Sequence, residues 1–237
     1  NTVGLVPVVS AVVGNALVTL IKAGAAVTSG SSVMFSEAVH SLADTLNQSF
    51  ILIGVRRSYK KPDEDYGYGY GRERFFWALI SACGIFFIGA GVTFYKGISS
   101  LLHPQPLEIH SLVFVVLGAS FIIESLTLWI AGRGLKISYP DSTWSERIQI
   151  ADPSTLAVYL EDAVALIGIV VATVSIGASY YTGNVFWDGL GSIVIGALLA
   201  TTAVVLITKN HSYLLGRSIP DDEREEIIAA LVAEPSI

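Results

Sequence analysis

The chain has 237 residues, of which 52% are hydrophobic and only 14% charged, with a mean hydropathy of +0.62. Water-soluble domains carry roughly 25% charged residues, so this composition excludes one and describes a membrane protein. The formal charge of -6 supports no nucleic-acid surface, and the single cysteine, Cys83 in an apolar run, excludes an internal disulfide framework and a thiolate cluster for a soft metal.

Six apolar segments are predicted as membrane-spanning helices: residues 3–29, 32–59, 72–102, 107–136, 154–180 and 185–215. Each exceeds the roughly 20 residues that cross a ~30 Å hydrocarbon core. Arg56, Arg57, Lys60, Lys61, Arg72 and Arg74 flank the second connection, and Arg133, Lys136 and Arg147 the fourth, whereas the other connections are nearly free of charge. The positive-inside rule then puts both termini and both charged loops on the cytoplasmic or matrix-like side. The expected fold is an all-α, six-helix transmembrane domain over residues 1–216, followed from residue 217 to 237 by the start of a small cytoplasmic domain that is cut short in this sequence. There, Asp221 to Glu226 followed by Ile227, Ile228, Leu231 and Val232 predicts a short amphipathic helix with acids in its first turn. The chain begins at Asn1 rather than at a methionine, so the true N-terminus, and with it any targeting signal, is expected to lie outside the sequence.

The first segment carries Asn15 and Lys22 on one face. Lys22 lies about 10 Å from the end of its helix, near enough to snorkel to the head groups, which is the preferred reading. The alternative is a counter-ion for Glu37. In the second segment Glu37, His40, Asp44 and Asn47 follow at steps of three, four and three, which return to one face of a helix. Ionisable groups in a span cost on the order of 2.5 kcal/mol or more each, so they normally face a cavity, a partner or an ion. His40 and Asp44, one turn apart, are placed to hold one metal ion together. In the fourth segment Glu124 is open to three readings: paired with Lys22, protonated, or on the path of an ion. In the fifth, Glu161 and Asp162 stand side by side in apolar surroundings. If the second segment turns its stripe toward them, one imidazole and three carboxylates meet at the depth where transporters bind substrate. The competing reading is a hydrogen-bonded packing network of protonated acids. Asp188, at the start of the sixth segment beside Trp187, is expected to be structural, as a helix cap or a wet vestibule acid.

These residues resemble the cation diffusion facilitator family of divalent-metal transporters. Its pattern sets a His or Asp and then an Asp four residues later in the second span, and repeats this in the fifth. His40 and Asp44 match the first half and Asp162 the last position of the second, while Val158 stands where a His or Asp belongs. Glu161 lies about 60° from Val158 on a helical wheel and is the expected replacement. The Glu161–Asp162 pair, with Leu101 to Pro106, Asp152 to Thr155 and Leu214 to Ile219, is most similar to the branch containing the mitochondrial zinc exporter. The resemblance implies a homodimer, a cytoplasmic α/β domain, and a divalent cation exchanged for protons by alternating access. It implies a tetrahedral ion site at His40, Asp44 and Asp162 with Glu161 as the fourth ligand, and Glu37, Asn47 and Glu124 flanking it. Zinc is the favoured substrate, with manganese, iron(II) or cobalt also compatible with a nitrogen-plus-carboxylate set. The membrane is expected to be a plasma or inner membrane or that of an organelle, mitochondria included. An intramembrane metallohydrolase and a metal-binding sensor are the rival readings. The first lacks a His-Glu-x-x-His run; the second would bind the ion without moving it.

Overall fold

Each apolar run becomes a helix, and the residues between the runs decide where each helix stops. A computed structural model describes residues 5–108, 110–151, 153–216 and 221–233. Regular structure among the described residues is helical: α1 (Leu5–Ser29), α2 (Ser32–Ser58), α3 (Glu73–Gly84), α4 (Gly91–Leu102), α5 (Ser111–Ser138), α6 (Trp144–Ile150), α7 (Pro153–Thr182), α8 (Phe186–Leu215) and α9 (Asp221–Ala233). The predicted first segment begins two residues before the described ones, and the fourth starts at Ser111 rather than Leu107. Four helical stretches among the described residues are long and apolar enough to cross a membrane: Glu73–Leu102, Ser111–Ser138, Leu156–Thr182 and Phe186–Leu215. The 25-residue α1 and the 27-residue α2 match these in length, and the polar stripe makes α2 the least apolar of the long helices.

The α1–α2 reversal needs a left-handed residue, which Gly30 supplies at φ 65°. Ser31 then caps α2, its hydroxyl accepting from the Met34 amide. Asp188 at the start of α8 completes the cap: it accepts hydrogen bonds from the Ser31 hydroxyl and from the Ser32 amide at 2.6 Å. Asp188 is therefore a cap, as expected, but of another helix, and it is fully buried rather than wet. The acid sits where four unpaired amides and the positive end of a helix dipole favour a negative charge.

α3 and α4 form one run joined by a π-helical turn at Ile85–Ala90. The run packs on α8 through small residues: Gly97 of α4 and Gly189 of α8 stand so close that a Cβ on Gly97 would lie 3.1 Å from the Gly189 carbonyl oxygen. α2 packs against α1, α3, α7 and α8, and α5 against α1 and α7. The largest buried cluster lies where these helices meet and includes Val33, Met34, Leu117, Ile169, Ile195 and Leu199. Elsewhere apolar side chains such as Phe121, Ile122, Val170 and Val204 are exposed, as a lipid-facing surface requires.

Two features of the charged connections were not predicted. The short helix α6 is set by a capping box between Thr143 and Glu146, and the Glu146 carboxyl is held below its ordinary range by hydrogen bonds from the Thr143 amide and hydroxyl. Arg147, assigned above to a basic flank, is buried and holds the loop from within, donating to the Tyr139 and Pro140 carbonyls at 2.8 and 3.0 Å. Before α3, Lys60 and the Tyr70 hydroxyl both donate to Asp63 at 2.8 Å, and the other oxygen of Asp63 receives the Tyr66 amide. These bonds bring the Asp63 carboxyl down to about 2 and raise the Lys60 ammonium to about 12. The Asp63 contribution is thus complete above about pH 4 and lost on further acidification, while that of Lys60 is complete below about pH 10 and lost above it. Amide exchange of Tyr66 and Gly69, corrected for its intrinsic rate, is expected to show constant protection from about pH 5 to about pH 9. A fall inside that window contradicts the assignment.

α8 ends at Gly216 in the left-handed region, φ 88°, and Arg72 donates to the Leu214 carbonyl beside it at 3.1 Å. The predicted change of composition at Arg217 falls on residues 217–220, outside the described residues, as do Asp152 and the Ser218–Ile219 end of the last motif. α9 stands where the acidic-then-apolar pattern places a helix.

Candidate metal centre

The stripe of α2 faces inward, because its four polar residues lie on the side that meets α7. Glu37, His40 and Asn47 are buried and Asp44 nearly so. Two contacts fix the register of α2 on α7. The Asn47 amide donates to Glu161 Oε1 at 2.5 Å, and Glu37 Oε1 lies against Gly168, where any Cβ would overlap it. His40 and Asp44 fall between these two pins. At 1.5 Å per residue Asp44 is about 18 Å along a helix of about 40 Å, close to mid-depth.

The His40 Nε2 to Asp44 Oδ2 distance is 3.6 Å, which sets the imidazole beside the carboxyl but is too long for a good hydrogen bond. Both ring nitrogens of His40 and Oδ2 of Asp162 are buried with no hydrogen-bond partner among the described residues. Buried polar atoms are normally satisfied, and the unpartnered set on the α2–α7 seam also includes Glu37 Oε1; in a neutral imidazole one of the two nitrogens carries the lone pair and the other the proton. Asp44 lies in the field of the Glu161, Glu124 and Asp162 carboxyls and of the Lys22 ammonium. Asp162 lies on the α5 side, in the field of the Glu124 carboxyl and near Thr127, whose hydroxyl donates to the Glu124 backbone carbonyl at 3.0 Å. Among the described residues no three His, Cys, Asp or Glu side chains converge on one point. The structure thus brings His40 and Asp44 together on α2 and places Glu161 against the same helix, with Asp162 on the side of α7 nearer Glu124.

Lys22 departs from the preferred expectation. It does not snorkel: its side chain is fully buried and its ammonium donates to Glu37 Oε2 at 3.0 Å. That leaves Glu124 without the Lys22 partner considered for it; its carboxyl lies 3.5 Å from the Thr127 hydroxyl instead. Asn15 reaches across to Gln48 at 2.9 Å, a second polar tie between α1 and α2. Asn47 proves to be the residue that orients Glu161. Its place on the stripe was visible, but its partner, 114 positions away, was not. Gly168 carried no signal in the sequence beyond being a glycine in an apolar run.

Residues 8–215 match the model of the cation efflux transmembrane domain. The chain belongs to the cation efflux family. This is the family of cation diffusion facilitators that the α2 and α7 residues resemble, and it sets the chain among transporter sequences rather than enzymes. Cation efflux relatives include the proton-coupled zinc antiporter SLC30A9, mitochondrial, of Xenopus laevis, 40% identical over 97% of this chain and 42% of that protein. Its namesake of Homo sapiens is 38% identical over 88% of the chain and 37% of the protein. Metal tolerance protein C4 of Arabidopsis thaliana is 39% identical over 92% and 48%. The chain spans less than half the length of these curated relatives. Neither the hydrolase nor the sensor alternative finds support among the cation efflux relatives.

Proposed function

We propose that this chain is the membrane domain of a transporter that exchanges zinc for protons by alternating access. The observation that carries the reading is the buried seam between α2 and α7, where Asn47 fixes Glu161 and the unpartnered nitrogens of His40 lie two turns away beside Asp44. His40, Asp44 and Asp162 are the ligands, with Glu161 completing a tetrahedral set as zinc prefers. Loading the ion requires a change at α7 that turns Asp162 toward α2, because the ligands do not converge on one point among the described residues. That makes the open and loaded states structurally distinct, as alternating access demands.

Ligation needs a neutral imidazole and ionised carboxylates, so binding expels protons and release admits them. Glu124 lies on the α5 side of Asp162 as a flanking acid along the path. The α1 and α2 helices complete six spans, and the basic residues beside α2, α3 and α5 put both termini on the cytoplasmic or matrix-like side. The names of the SLC30A9 relatives favour zinc and a mitochondrial membrane, with manganese, iron(II) and cobalt as further substrates the ligand set admits. The extensive exposed apolar surface accommodates lipid and a second copy, giving a homodimer, and residues from 217 onward begin an α/β cytoplasmic domain.

The test is flux of a panel of divalent ions into liposomes containing the whole protein, with the internal pH monitored. Zinc entry with proton movement in the opposite direction is expected. Zinc binding without flux would favour a sensor, and flux without a pH change would refute exchange.

A further inference from the structure

The Lys22–Glu37 pair lies one turn from His40 and is not used by the ligand set above. Lys22 is fully buried in α1, its ammonium held at 3.0 Å by one oxygen of Glu37. The second oxygen of Glu37 is buried, has no hydrogen-bond partner among the described residues, and faces Gly168 of α7. Glu37 is on the same stripe as His40 and Asp44, so a carboxylate of the right type and depth stands beside the ion site. The field of Lys22 reaches His40, Asp44 and Glu124. The titratable groups near it are Glu37, His40 and Asp44 of α2 and Glu124 of α5, while Glu161 and Asp162 of α7 face Asp44 from the other side.

We infer that Lys22 is a positioning residue that withholds Glu37 from the transported ion and so sets how tightly the site holds it. This inference rests on the transport reading of His40 and Asp44. A buried ion pair is costly to form and gains little stability over an apolar pair of the same size, so its presence beside an ion pathway calls for a role other than stability. While paired, the two charges cancel at the site. Without the ammonium, Glu37 is an extra anionic ligand one turn from His40. Transport requires an ion bound firmly enough to enter and loosely enough to leave, and an added carboxylate shifts that balance toward retention. Without the carboxylate, the bare ammonium repels the incoming cation through a low-dielectric medium. Gly168 lets Glu37 occupy this position, since a larger residue would displace the carboxylate from Lys22.

The experiment measures zinc uptake by the whole protein in proteoliposomes, resolved into KM and maximal rate. Lys22→Met should lower KM about tenfold and depress the maximal rate, whereas Glu37→Gln should raise KM about tenfold. The double variant should bring KM back to within about threefold of the parent, and Lys22→Arg should hold it there. A purely structural pair cannot move KM in opposite directions. If Lys22→Met fails to reach the membrane, Glu37→Gln and the double variant still decide the question. KM unchanged or shifted in the same direction by both single changes, with His40→Ala inactive, overturns the inference while leaving the transport site standing. Uptake that survives His40→Ala overturns the site itself, and the inference with it.

Discussion

Zinc uptake is expected to fall by more than about a hundredfold when His40 or Asp44 is replaced by alanine, since even residues behind metal ligands cost 10- to 100-fold. The two side chains are the adjacent pair on the α2 stripe, 3.6 Å apart, and His40 is the only imidazole there. Removing it leaves carboxylates alone, a set that suits harder cations, so residual transport in His40→Asp is expected to shift from zinc toward manganese. Both alanine variants remove ionisable groups from a buried seam without removing the core contacts of Val33 and Met34, so they are expected to reach the membrane and purify like the parent. Uptake assayed in proteoliposomes at matched protein density tests this. Undiminished flux in both would refute the assignment of the site. Asn47→Ala should have a smaller effect, about tenfold, because it loosens Glu161 without deleting a ligand.

The second large effect concerns stability. Asp188→Ala should cost about 3 kcal/mol, because it strips the α2 N-terminus of a buried, charge-assisted cap and leaves the Ser32 amide and the Ser31 hydroxyl without their acceptor. Asp188→Asn keeps one of the two acceptor oxygens and removes the charge, and should lose about half as much. Thermal unfolding of the detergent-purified protein is the measurement. An unchanged midpoint for the alanine variant would mean that the α2 terminus is held by other contacts. Since Asp188 ties the first turn of α8 to the first turn of α2, loss of the cap should also broaden the unfolding transition.

Much of this architecture was legible in the chain. The hydropathy runs gave the long helices to within a few residues at most ends, because an apolar run bounded by Gly30, Pro104 or Gly183 has little choice of where to stop. The stripe of α2 was equally plain, since its period is a property of the helix alone. What could not be read was which helix each polar residue would meet. Lys22 illustrates the limit: its distance from the helix end was compatible with snorkelling, and only the packing of α1 on α2 decides for Glu37. Asp188 shows the same limit: a cap was one of two roles open to it, and the identity of the capped helix is a contact across 156 positions. α6 was overlooked because Trp144 to Ile150 is too short for a periodic signal. Its capping box at Thr143 and Glu146 was nevertheless present to be found.

The π-helical turn at Ile85–Ala90 has a bearing on how this sequence can change in length. Ile85, Gly89, Thr93 and Gly97 are all buried at intervals of four. Each such interval overruns a 3.6-residue turn by about 40°, or about 120° across three, and the one additional residue taken up by the wide turn cancels about 100° of it. Dropping a single residue inside 85–90 would therefore let the backbone relax to ordinary α geometry with Gly97 still against Ile193. The same deletion a turn earlier or later would swing the glycine away and push a bulky neighbour into the narrow crossing with α8. The bulge is the tolerant point of an otherwise length-locked rod, and single-residue insertions and deletions among related chains should collect there.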